Sequence, residues 1–344
     1  MLDAHAAIAV IGAGAIGGVT AAALKTAGWD VTLVCKHKAI ADLARTTGLS
    51  IGGIKGRQTV RLDAVETIAD LTAPQDLVLL ATKATDCVAA AKDLLPFLKP
   101  DAVVVSLQNG ICEDDLAAVV GRDRIMGCVV GWGASMVGPG QLEITSPGDF
   151  IVGSIDHQQD DNLSFVQDLL DNVVPARISN NIMGELYAKL IINACINSLG
   201  VIVGVRLGQL LANRQVRRMF IAIMREAVDV ADALGIEVEK GGGGKLDYYT
   251  FLAGKGWVKN LKRHLFIRAI GFKYRRVKSS SLQSIERGRP TEIDYLNGYI
   301  VDQGRAKGVP VPINSAIVKM VKEIETGTRN VGYANLAAEV FSDI

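Results

Sequence analysis

The stretch Ile8-Ala-Val-Ile-Gly12-Ala-Gly14-Ala-Ile-Gly17 decides the fold of this 344-residue chain. A short apolar run, typical of a buried strand, leads into Gly-x-Gly-x-x-Gly, and a helical run of small residues follows. In this context Gly12 permits a tight turn, Gly14 lets the backbone approach a pyrophosphate, and Gly17 lets the helix pack against the strand. The sequence therefore predicts a dinucleotide-binding loop made of Gly12, Ala13, Gly14, Ala15, Ile16 and Gly17. A glycine-rich turn that binds no ligand is the alternative.

The pattern downstream of this loop alternates strands and helices, which favours a parallel sheet with helices on both faces. Strands are expected at residues 8–12, 31–35, 77–81, 103–107, 129–137 and 141–152, a hairpin at 49–65, and helices at 15–27, 40–47 and 84–98. After Pro175 helical patterns dominate, at residues 181–203, 216–234, 291–307 and 315–326, with a loop at 241–244. We therefore predict a doubly wound α/β Rossmann domain that binds NADP, residues 1–178, and a mainly α-helical substrate domain, residues 179–344.

Composition excludes several classes of protein. Apolar residues make up 49% of the chain and no uncharged apolar run reaches the roughly 18 residues of a membrane span. No basic segment precedes the first apolar stretch, so a secretory signal is not expected. The five cysteines include no Cys-x-x-Cys pair, which fits a reducing cytoplasm, and the four histidines include no His-Glu-x-x-His, so we expect no catalytic metal.

Charge is distributed unevenly along the chain. Residues 1–178 carry a net charge of −8 and residues 179–344 a net charge of +9, although the whole chain carries +1. Residues 255–278 contain nine Lys and Arg and no acid. Such a stretch fits a docked helix with a solvated basic face, cations that attract an anionic substrate, or a nucleic-acid contact.

The residues after the second strand bear on the choice of cofactor. NAD sites usually place an acid there to bind the ribose hydroxyls, whereas this chain reads Val34-Cys35-Lys36-His37-Lys38. A cationic cluster suits a 2′-phosphate and favours NADP. Lys83 and Asn109 follow two further strands, at the sheet edge where ligands of parallel sheets bind. A solvated basic loop and ordinary surface residues are the alternatives.

Polar residues recur every four positions in the apolar segment around Lys189. Glu185, Lys189, Asn193 and Asn197 share one helix face, and the residues between them are mostly apolar. Because burying a Lys and two Asn without partners is costly, this face is expected to line a polar cleft. A lysine in apolar surroundings is also suited to act as an acid. A plain Glu185–Lys189 ion pair is the simpler interpretation.

Two short motifs follow in the C-terminal part. Ser279-Ser280-Ser281-Leu-Gln-Ser precedes Gly288-Arg-Pro-Thr-Glu292-Ile-Asp-Tyr-Leu-Asn-Gly. Pro290 stands just before a helix start and Glu292 falls in its first turn, where an acid complements the helix dipole.

Taken together, these segments resemble the 2-dehydropantoate 2-reductase (ketopantoate reductase) family. GAGAIGG, LLATKATD, SLQNGICED, GELYAKLIINACIN, SSSLQ and GRPTEIDYLNG occur in the family's order, from Ile8 to about Glu325. The resemblance implies a Rossmann domain joined to a helical domain. It also implies reduction of 2-dehydropantoate to (R)-pantoate with NADPH, in pantothenate and coenzyme A biosynthesis.

The resemblance also implies roles for single residues. Lys189 matches the general acid, and Glu292 matches the acid that hydrogen-bonds substrate and supports catalysis, so both are expected to be catalytic residues. The other matched positions are Asn193, Asn197 and Ser280 on the substrate side, Asn109 and Lys83 on the cofactor side, and Lys36 near the 2′-phosphate; Asn109 is counted as a substrate contact too.

Two positions depart from the family's pattern. Val277 stands where Asn commonly begins Asn-x-Ser-Ser-Met-Leu-Gln-Asp, and Leu207 stands where Asn often precedes Gly-x-Leu. One alternative is therefore a related D-2-hydroxyacid dehydrogenase of the mandelate type that acts on another 2-oxo acid. The other is a nucleotide-sensing or nucleic-acid-binding protein without catalysis, which only the basic stretch at 255–278 supports. The expected partners are a small anionic 2-oxo acid and, as one option, a second copy in a homodimer; neither nucleic acid nor a membrane is expected.

Overall fold

The structure, a computed structural model, describes residues 2–54, 56–156 and 161–342. The chain forms two compact units, Met1–Leu186 and Tyr187–Ile344. The division falls inside a long helix, whereas the predicted domain boundary follows residue 178, at the end of the last strand.

The described residues of the first unit form twelve strands: β1 (Ile8–Ile11), β2 (Val31–Val34), β3 (Leu49–Gly53), β4 (Gln58–Val60), β5 (Asp63–Val65), β6 (Gln75–Leu80), β7 (Leu98–Ser106), β8 (Ile125–Val130), β9 (Gly133–Gly138), β10 (Gln141–Ser146), β11 (Phe150–Ser154) and β12 (Ala176–Ile178). Eight form one sheet in the order β12-β11-β8-β7-β6-β1-β2-β5. All its pairs are parallel except β11 with β8. Helices cover this sheet, and β1, β8 and the carboxyl-terminal half of β7 are buried, which confirms the predicted α/β class.

Within the part of the first unit that the structure describes, the α-helices that lie wholly inside it are α1 (Ala15–Thr26), α2 (Lys38–Thr46), α3 (Ala84–Leu94), α4 (Glu113–Val120) and α5 (Leu163–Asp171). Helix α3 is shorter than predicted. It ends at Leu94 and a 3₁₀ turn, Leu95–Phe97, follows, because Pro96 has no N–H to continue the α-helical bonding.

A second sheet of four strands, in the order β4-β3-β10-β9, was not predicted. The sequence predicted a hairpin at 49–65 and consecutive strands at 129–137 and 141–152, and both β3–β4 and β9–β10 are antiparallel pairs. The parallel pairing that joins them sets Leu142 opposite Ile51, about ninety residues apart in the chain. This sheet packs on α1, where a Cβ on Gly18 would lie 2.5 Å from Leu142 Cδ1.

Helices dominate the second unit. After α6 (Ile182–Val203), which spans both units, they are α7 (Leu207–Ala212), α8 (Arg214–Leu234), α9 (Gly241–Gly244), α10 (Tyr248–Leu252), α11 (Trp257–Lys273), α12 (Ser280–Glu286), α13 (Asn297–Lys307) and α14 (Pro312–Glu325). Helix α9 is a single turn in which Gly242 and Gly243 have positive φ, so the predicted loop there is close to the observed structure.

Two helix starts differ from the prediction for clear reasons. Helix α8 begins at Arg214 because the side chain of Asn213 accepts hydrogen bonds from the amides of Gln215 and Val216. The helix expected from residue 291 begins only at Asn297, after a 3₁₀ turn, Ile293–Tyr295, and a break at Leu296.

Among the described residues, one helix is long and apolar enough to cross a membrane. This helix is α6, and 78% of its apolar window is buried inside the structure, as is typical of a core helix.

Helix α11 and the segment after it contain the basic stretch. Ile267 and Gly271 are buried, so the helix packs as expected, but its outward face is not only basic. Trp257, Leu261, Leu265 and Phe272 are exposed there. Arg263 is buried and donates to the carbonyls of residues 251, 253 and 254, so this cation is structural.

Candidate functional site

The glycine loop has the geometry that the motif predicts. Gly12 has φ +109°, and a Cβ there would lie 2.8 Å from the carbonyl oxygen of Ala81. A Cβ on Gly17 would lie 2.0 Å from the carbonyl oxygen of Gly12. Both positions therefore require glycine for the turn and for close packing of α1 on β1.

Gly14 is different, because a Cβ there would meet no atom within 4 Å. It is the N-cap residue of α1 and is exposed, and no side chain caps the helix or places an acid in its first turn. The first amides of α1 therefore face an open approach, flanked by half-buried Ala13, Ala15 and Ile16. This arrangement fits a pyrophosphate, which binds helix N-termini.

Lys36 lies in the loop between β2 and α2. Its Nζ is 3.1 Å from Asp86 Oδ2 on α3, and both side chains are largely exposed. Lys38 pairs with Asp42 one helical turn later, also at 3.1 Å. Exposed pairs of this kind contribute little stability, so a phosphate can compete with Asp86 for Lys36.

Lys83 and Asn109 lie at the same sheet edge as the glycine loop. Lys83 is the exposed N-cap residue of α3, after β6, and Asn109 is half-buried in the loop between β7 and α4. Strands β7, β6, β1 and β2 are adjacent and parallel, so their carboxyl ends carry Asn109, Lys83, the glycine loop and Lys36 in that order. The structure thus brings the predicted cofactor residues to one edge.

A hydrogen-bond network at this edge was missed by the sequence analysis. Ser106 Oγ donates to Gln108 Oε1 at 2.8 Å, and Gln108 Nε2 donates to Thr82 Oγ1 at 3.3 Å. Glu113, at the start of α4, is 1% exposed, and its carboxyl hydrogen-bonds to Ser106 and to the amide of Cys112. Burial raises the pKa of Glu113 to about 7, although these hydrogen bonds oppose the rise. In the sequence it is only the first of three consecutive acids.

The polar stripe lies along α6. Asn197 is buried, and Lys189 and Asn193 are half-buried on the same helix face. Near Lys189 the helix is fixed by Tyr248, whose hydroxyl donates to the carbonyl of Ala188 at 2.5 Å, and by the edge-on contact of Tyr187 with Tyr299 of α13. In the first unit, the carboxylate of Glu185 accepts from Arg177 at 2.6 Å.

Ser280 meets this stripe. Its Oγ donates to Asn197 Oδ1 at 3.1 Å. The neighbouring Ser279 is buried and caps α12 by accepting from the amide of Leu282. It packs so closely on α6 that a Cβ on Gly200 would lie 2.4 Å from Ser279 Oγ. The first serine therefore anchors the helix, and the second faces Asn197.

Glu292 is half-buried and precedes the 3₁₀ turn, so it does not lie in the first turn of an α-helix as expected. The preceding residue is firmly held, because the amide and hydroxyl of Thr291 both donate to Glu325 Oε1, at 2.7 and 2.6 Å. Helix α14 thus fixes the backbone that carries Glu292.

The two departures from the family pattern lie together. The amide of Leu207 donates to the carbonyl of Val277 at 2.9 Å. Leu207 is buried, and Val277 is 47% exposed. Val277 is also three residues before Ser280, so an exposed apolar side chain lies close in the chain to the serine that contacts Asn197.

Within the described part of the chain, no cluster of three or more His, Cys, Asp or Glu side chains could hold a metal ion. The expectation of no catalytic metal remains a prediction.

Comparison with protein families gives two matches that together span most of the chain. The family model described as ketopantoate reductase PanE/ApbA matches residues 8–157, and the model of its C-terminal part matches residues 181–325. Among curated relatives, the 2-dehydropantoate 2-reductase of Archaeoglobus fulgidus is 27% identical over 322 residues, covering 93% of this chain and 98% of the relative. That of Pyrococcus abyssi is 28% identical over 316 residues, covering 92% and 96%.

Solved structures give a similar result. A PanE/ApbA family ketopantoate reductase from Ralstonia eutropha JMP134 superposes with a TM-score of 0.80 at 29% identity, covering 94% of this chain and all of that one. The ternary structure of D-mandelate dehydrogenase with NADH and anilino(oxo)acetate gives a TM-score of 0.77 at 25% identity, covering 93% and 98%.

Proposed function

The chain belongs to the ketopantoate reductase PanE/ApbA family of oxidoreductases, and from this premise we propose that it reduces a 2-oxo acid to its 2-hydroxy acid with NADPH. The reaction proposed first is that of its curated relatives, 2-dehydropantoate to (R)-pantoate, in pantothenate biosynthesis. The observation that carries the proposal is the polar face of α6, where Lys189, Asn193 and Asn197 recur every four residues and Ser280 bonds to Asn197.

The first unit supplies the proposed cofactor site. The open approach at Gly14 and the amides of α1 suit the pyrophosphate, and Lys36 suits the 2′-phosphate. Lys83 and Asn109 lie at the same sheet edge and are assigned to the cofactor, Asn109 to the substrate as well. NADPH, when bound, supplies the hydride. The charges also fit, because no side chain caps α1 and because Asp86, the ion-pair partner of Lys36, is itself exposed.

The second unit supplies the proposed substrate and proton chemistry. Lys189 Nζ, half-buried on an apolar helix, protonates the alkoxide that forms at the keto carbon and stabilises its charge. Because Asn197 Oδ1 accepts from Ser280, the Asn197 Nδ2 group is turned to donate to the substrate. Asn193 lies between the two on the same face. Glu292, held through Thr291 and Glu325, orients the substrate by hydrogen bonding.

One observation favours a second candidate, a reductase for 2-oxo acids with an apolar side chain. Leu207 and Val277, whose backbones are hydrogen-bonded to each other, are apolar where two asparagines are common in the family. A site without these donors and acceptors loses the hydrogen bonds that would select a hydroxylated substrate. D-mandelate dehydrogenase, whose ternary structure holds anilino(oxo)acetate, has the same fold.

We also propose a cytoplasmic location, since the five cysteines, all within the described residues, are buried thiols. The proposed partner is a small anionic 2-oxo acid, with a homodimer as one option, and nucleic acid is not proposed as a partner.

The experiment that tests the function is a panel of 2-oxo acids assayed for NADPH oxidation by absorbance. The panel includes 2-dehydropantoate, an aromatic 2-oxo acid and a short aliphatic one, each with NADPH and with NADH. The proposal predicts 2-oxo-acid-dependent oxidation with a higher kcat/KM for NADPH. Oxidation of neither cofactor with any member would contradict it.

A further inference from the structure

A chain of hydrogen bonds links the buried Glu113 to Thr82, at the edge proposed for the cofactor. The chain runs from the carboxyl of Glu113 to Ser106, then to Gln108, and ends at the Thr82 hydroxyl. Thr82 is half-buried, and a Cβ on Gly12 would lie 3.0 Å from its backbone nitrogen. The network therefore begins in the core and ends beside the glycine loop.

The network has two possible directions, because a hydroxyl has one proton to donate. When Ser106 donates to Gln108, as it does in the structure, it can only accept from Glu113, whose carboxyl must then be neutral. The opposite hydrogen bond, in which Ser106 donates to the carboxylate, is the one that lowers the pKa of Glu113. Gln108 then donates to Thr82 Oγ1, which leaves the Thr82 proton to point away from Gln108. The amide of Cys112 donates to Glu113 Oε2 in either state.

Ionisation of Glu113 reverses this order. Ser106 then donates to the carboxylate and can only accept from Gln108. The amide of Gln108 must turn over, so that its Nε2 donates to Ser106 and its Oε1 faces Thr82. Thr82 must in turn donate inward to Gln108, and only its lone pairs remain for an outside group.

We propose that Glu113 is a positioning residue that couples proton uptake to cofactor binding: when its carboxyl is neutral, the network turns the Thr82 hydroxyl proton outward, where it donates to an oxygen of NADP(H). This inference rests on the proposed cofactor. Above the pH at which Glu113 ionises in the cofactor-free protein, binding of the cofactor is accompanied by the uptake of one proton at Glu113. The negative charge of a nearby ligand also favours the neutral state of Glu113. The charge and the Thr82 hydrogen bond therefore act in the same direction.

The surroundings of Glu113 set the pH range of this coupling. Burial is the largest cause of its raised pKa of about 7, and the charge of Asp114 raises it further. Cys87 faces it from α3, and Asp115 of its own helix acts on Cys87 as well. Arg122, after α4, is held by Asp114 and Asp156. Cofactor affinity should therefore fall as the pH rises through about 7.

The test measures the Kd of NADPH by fluorescence between about pH 6 and about pH 8.5, with no substrate present. Glu113→Gln keeps the shape of the neutral carboxyl and always donates to Ser106. This variant should bind NADPH tightly at every pH. The Kd of the wild type should rise about tenfold more than the Kd of the variant between the lowest and the highest pH. Because the 2′-phosphate also titrates near pH 6, the quantity compared is the difference between variant and wild type.

Three further variants identify the path. Thr82→Val removes the terminal hydroxyl and should bind weakly at every pH, without the wild-type dependence. Thr82→Ser keeps the hydroxyl and should restore that dependence. Glu226→Gln changes another buried glutamate with a raised pKa, which accepts from the amides of Ile313 and Asn314 in the second unit, and should keep the wild-type profile.

A wild-type pH profile in Glu113→Gln or in Thr82→Val, with NADPH still bound, would overturn this inference alone. Absence of NADPH binding by the wild type at every pH would overturn both the proposed cofactor and this inference.

Discussion

The backbone amide of Leu207 donates to the carbonyl of Val277 at 2.9 Å, so the two apolar residues that depart from the family's pattern are direct neighbours. Their contact makes them one feature of the molecule. Because Val277 leads into the serines of α12, and Ser280 bonds to Asn197, this feature lies next to the proposed substrate residues.

We therefore expect the double variant Leu207→Asn/Val277→Asn to shift substrate preference. The ratio of kcat/KM for 2-dehydropantoate to that for an aromatic 2-oxo acid should rise about tenfold, because new polar groups can bond the substrate hydroxyl. Leu207→Met/Val277→Ile keeps both positions apolar and should leave the kcat/KM ratio unchanged. If the asparagine variant folds and keeps the native ratio, these two positions do not select the substrate.

The second prediction concerns the cofactor's 2′-phosphate. Lys36→Glu should lower the preference for NADPH over NADH by roughly tenfold or more, since it replaces a charge-assisted hydrogen bond with repulsion. Asp86→Asn frees Lys36 from its partner and should tighten NADPH binding. Lys38→Gln, a change at a lysine paired within its own helix, is the control and should have a smaller effect. Equal kcat/KM values for NADPH and NADH in the wild type would contradict the proposed preference for NADPH.

The third prediction concerns the basic stretch near Ser280. Arg275→Gln/Arg276→Gln/Lys278→Gln should raise KM for the 2-oxo acid roughly twofold to fivefold at low salt and flatten its salt dependence, because salt screens such attraction. The expected effect falls mainly on the two arginines, since Lys278 pairs with Glu286 at 2.5 Å.

The matched control is Lys259→Gln/Lys262→Gln/Lys273→Gln, which removes three exposed cations of α11. Arg263 is left in place because it is buried and supports the end of α10. Native KM and native salt response in both triple variants would make the stretch structural.

The fourth prediction links Glu113 to stability. Its folded pKa of about 7 lies above the ordinary value of 4.5, so the folded state binds the proton more tightly than the unfolded state. The stabilisation is complete below about pH 4.5 and is lost as the pH rises through about 7. Relative to Glu113→Gln, the wild type should lose about 3 kcal/mol of unfolding free energy over this range.

Urea unfolding at about pH 5 and about pH 8 measures this difference. Asp114→Asn, a change at the neighbouring exposed acid, is the control. If the unfolding free energies of the wild type and Glu113→Gln differ by the same amount at both pH values, Glu113 does not titrate in this range.

The fold was predictable from the sequence where the signals are local. The glycine motif and the apolar runs at Val31, Leu77 and Val103 predicted the main sheet, because each strand is buried on both faces and reads as a continuous apolar segment. The second sheet was missed because its central pair, Leu142 opposite Ile51, depends on a contact between distant segments. Nothing local in either strand indicates the other.

The candidate site, too, could be predicted only where its signals are local in the sequence. The stripe on α6 follows from helical periodicity, and its contact with Ser280 agrees with the resemblance. Glu113 was not found, because only its burial distinguishes it from Asp114 and Asp115. Which of these three acids is buried depends on how α4 packs against the rest of the protein. The anchoring of Thr291 by Glu325 depends on how α14 packs, so it too is invisible in the sequence.

We expect Lys189 to act as the general acid of a 2-oxo acid reductase. The decisive experiment measures the kcat of Lys189→Ala with the best 2-oxo acid of the panel, alongside its Kd for NADPH. The kcat should fall about 10²–10⁴-fold, the usual effect of losing a general acid, with NADPH binding unchanged. Near-native turnover in this variant would contradict the assignment.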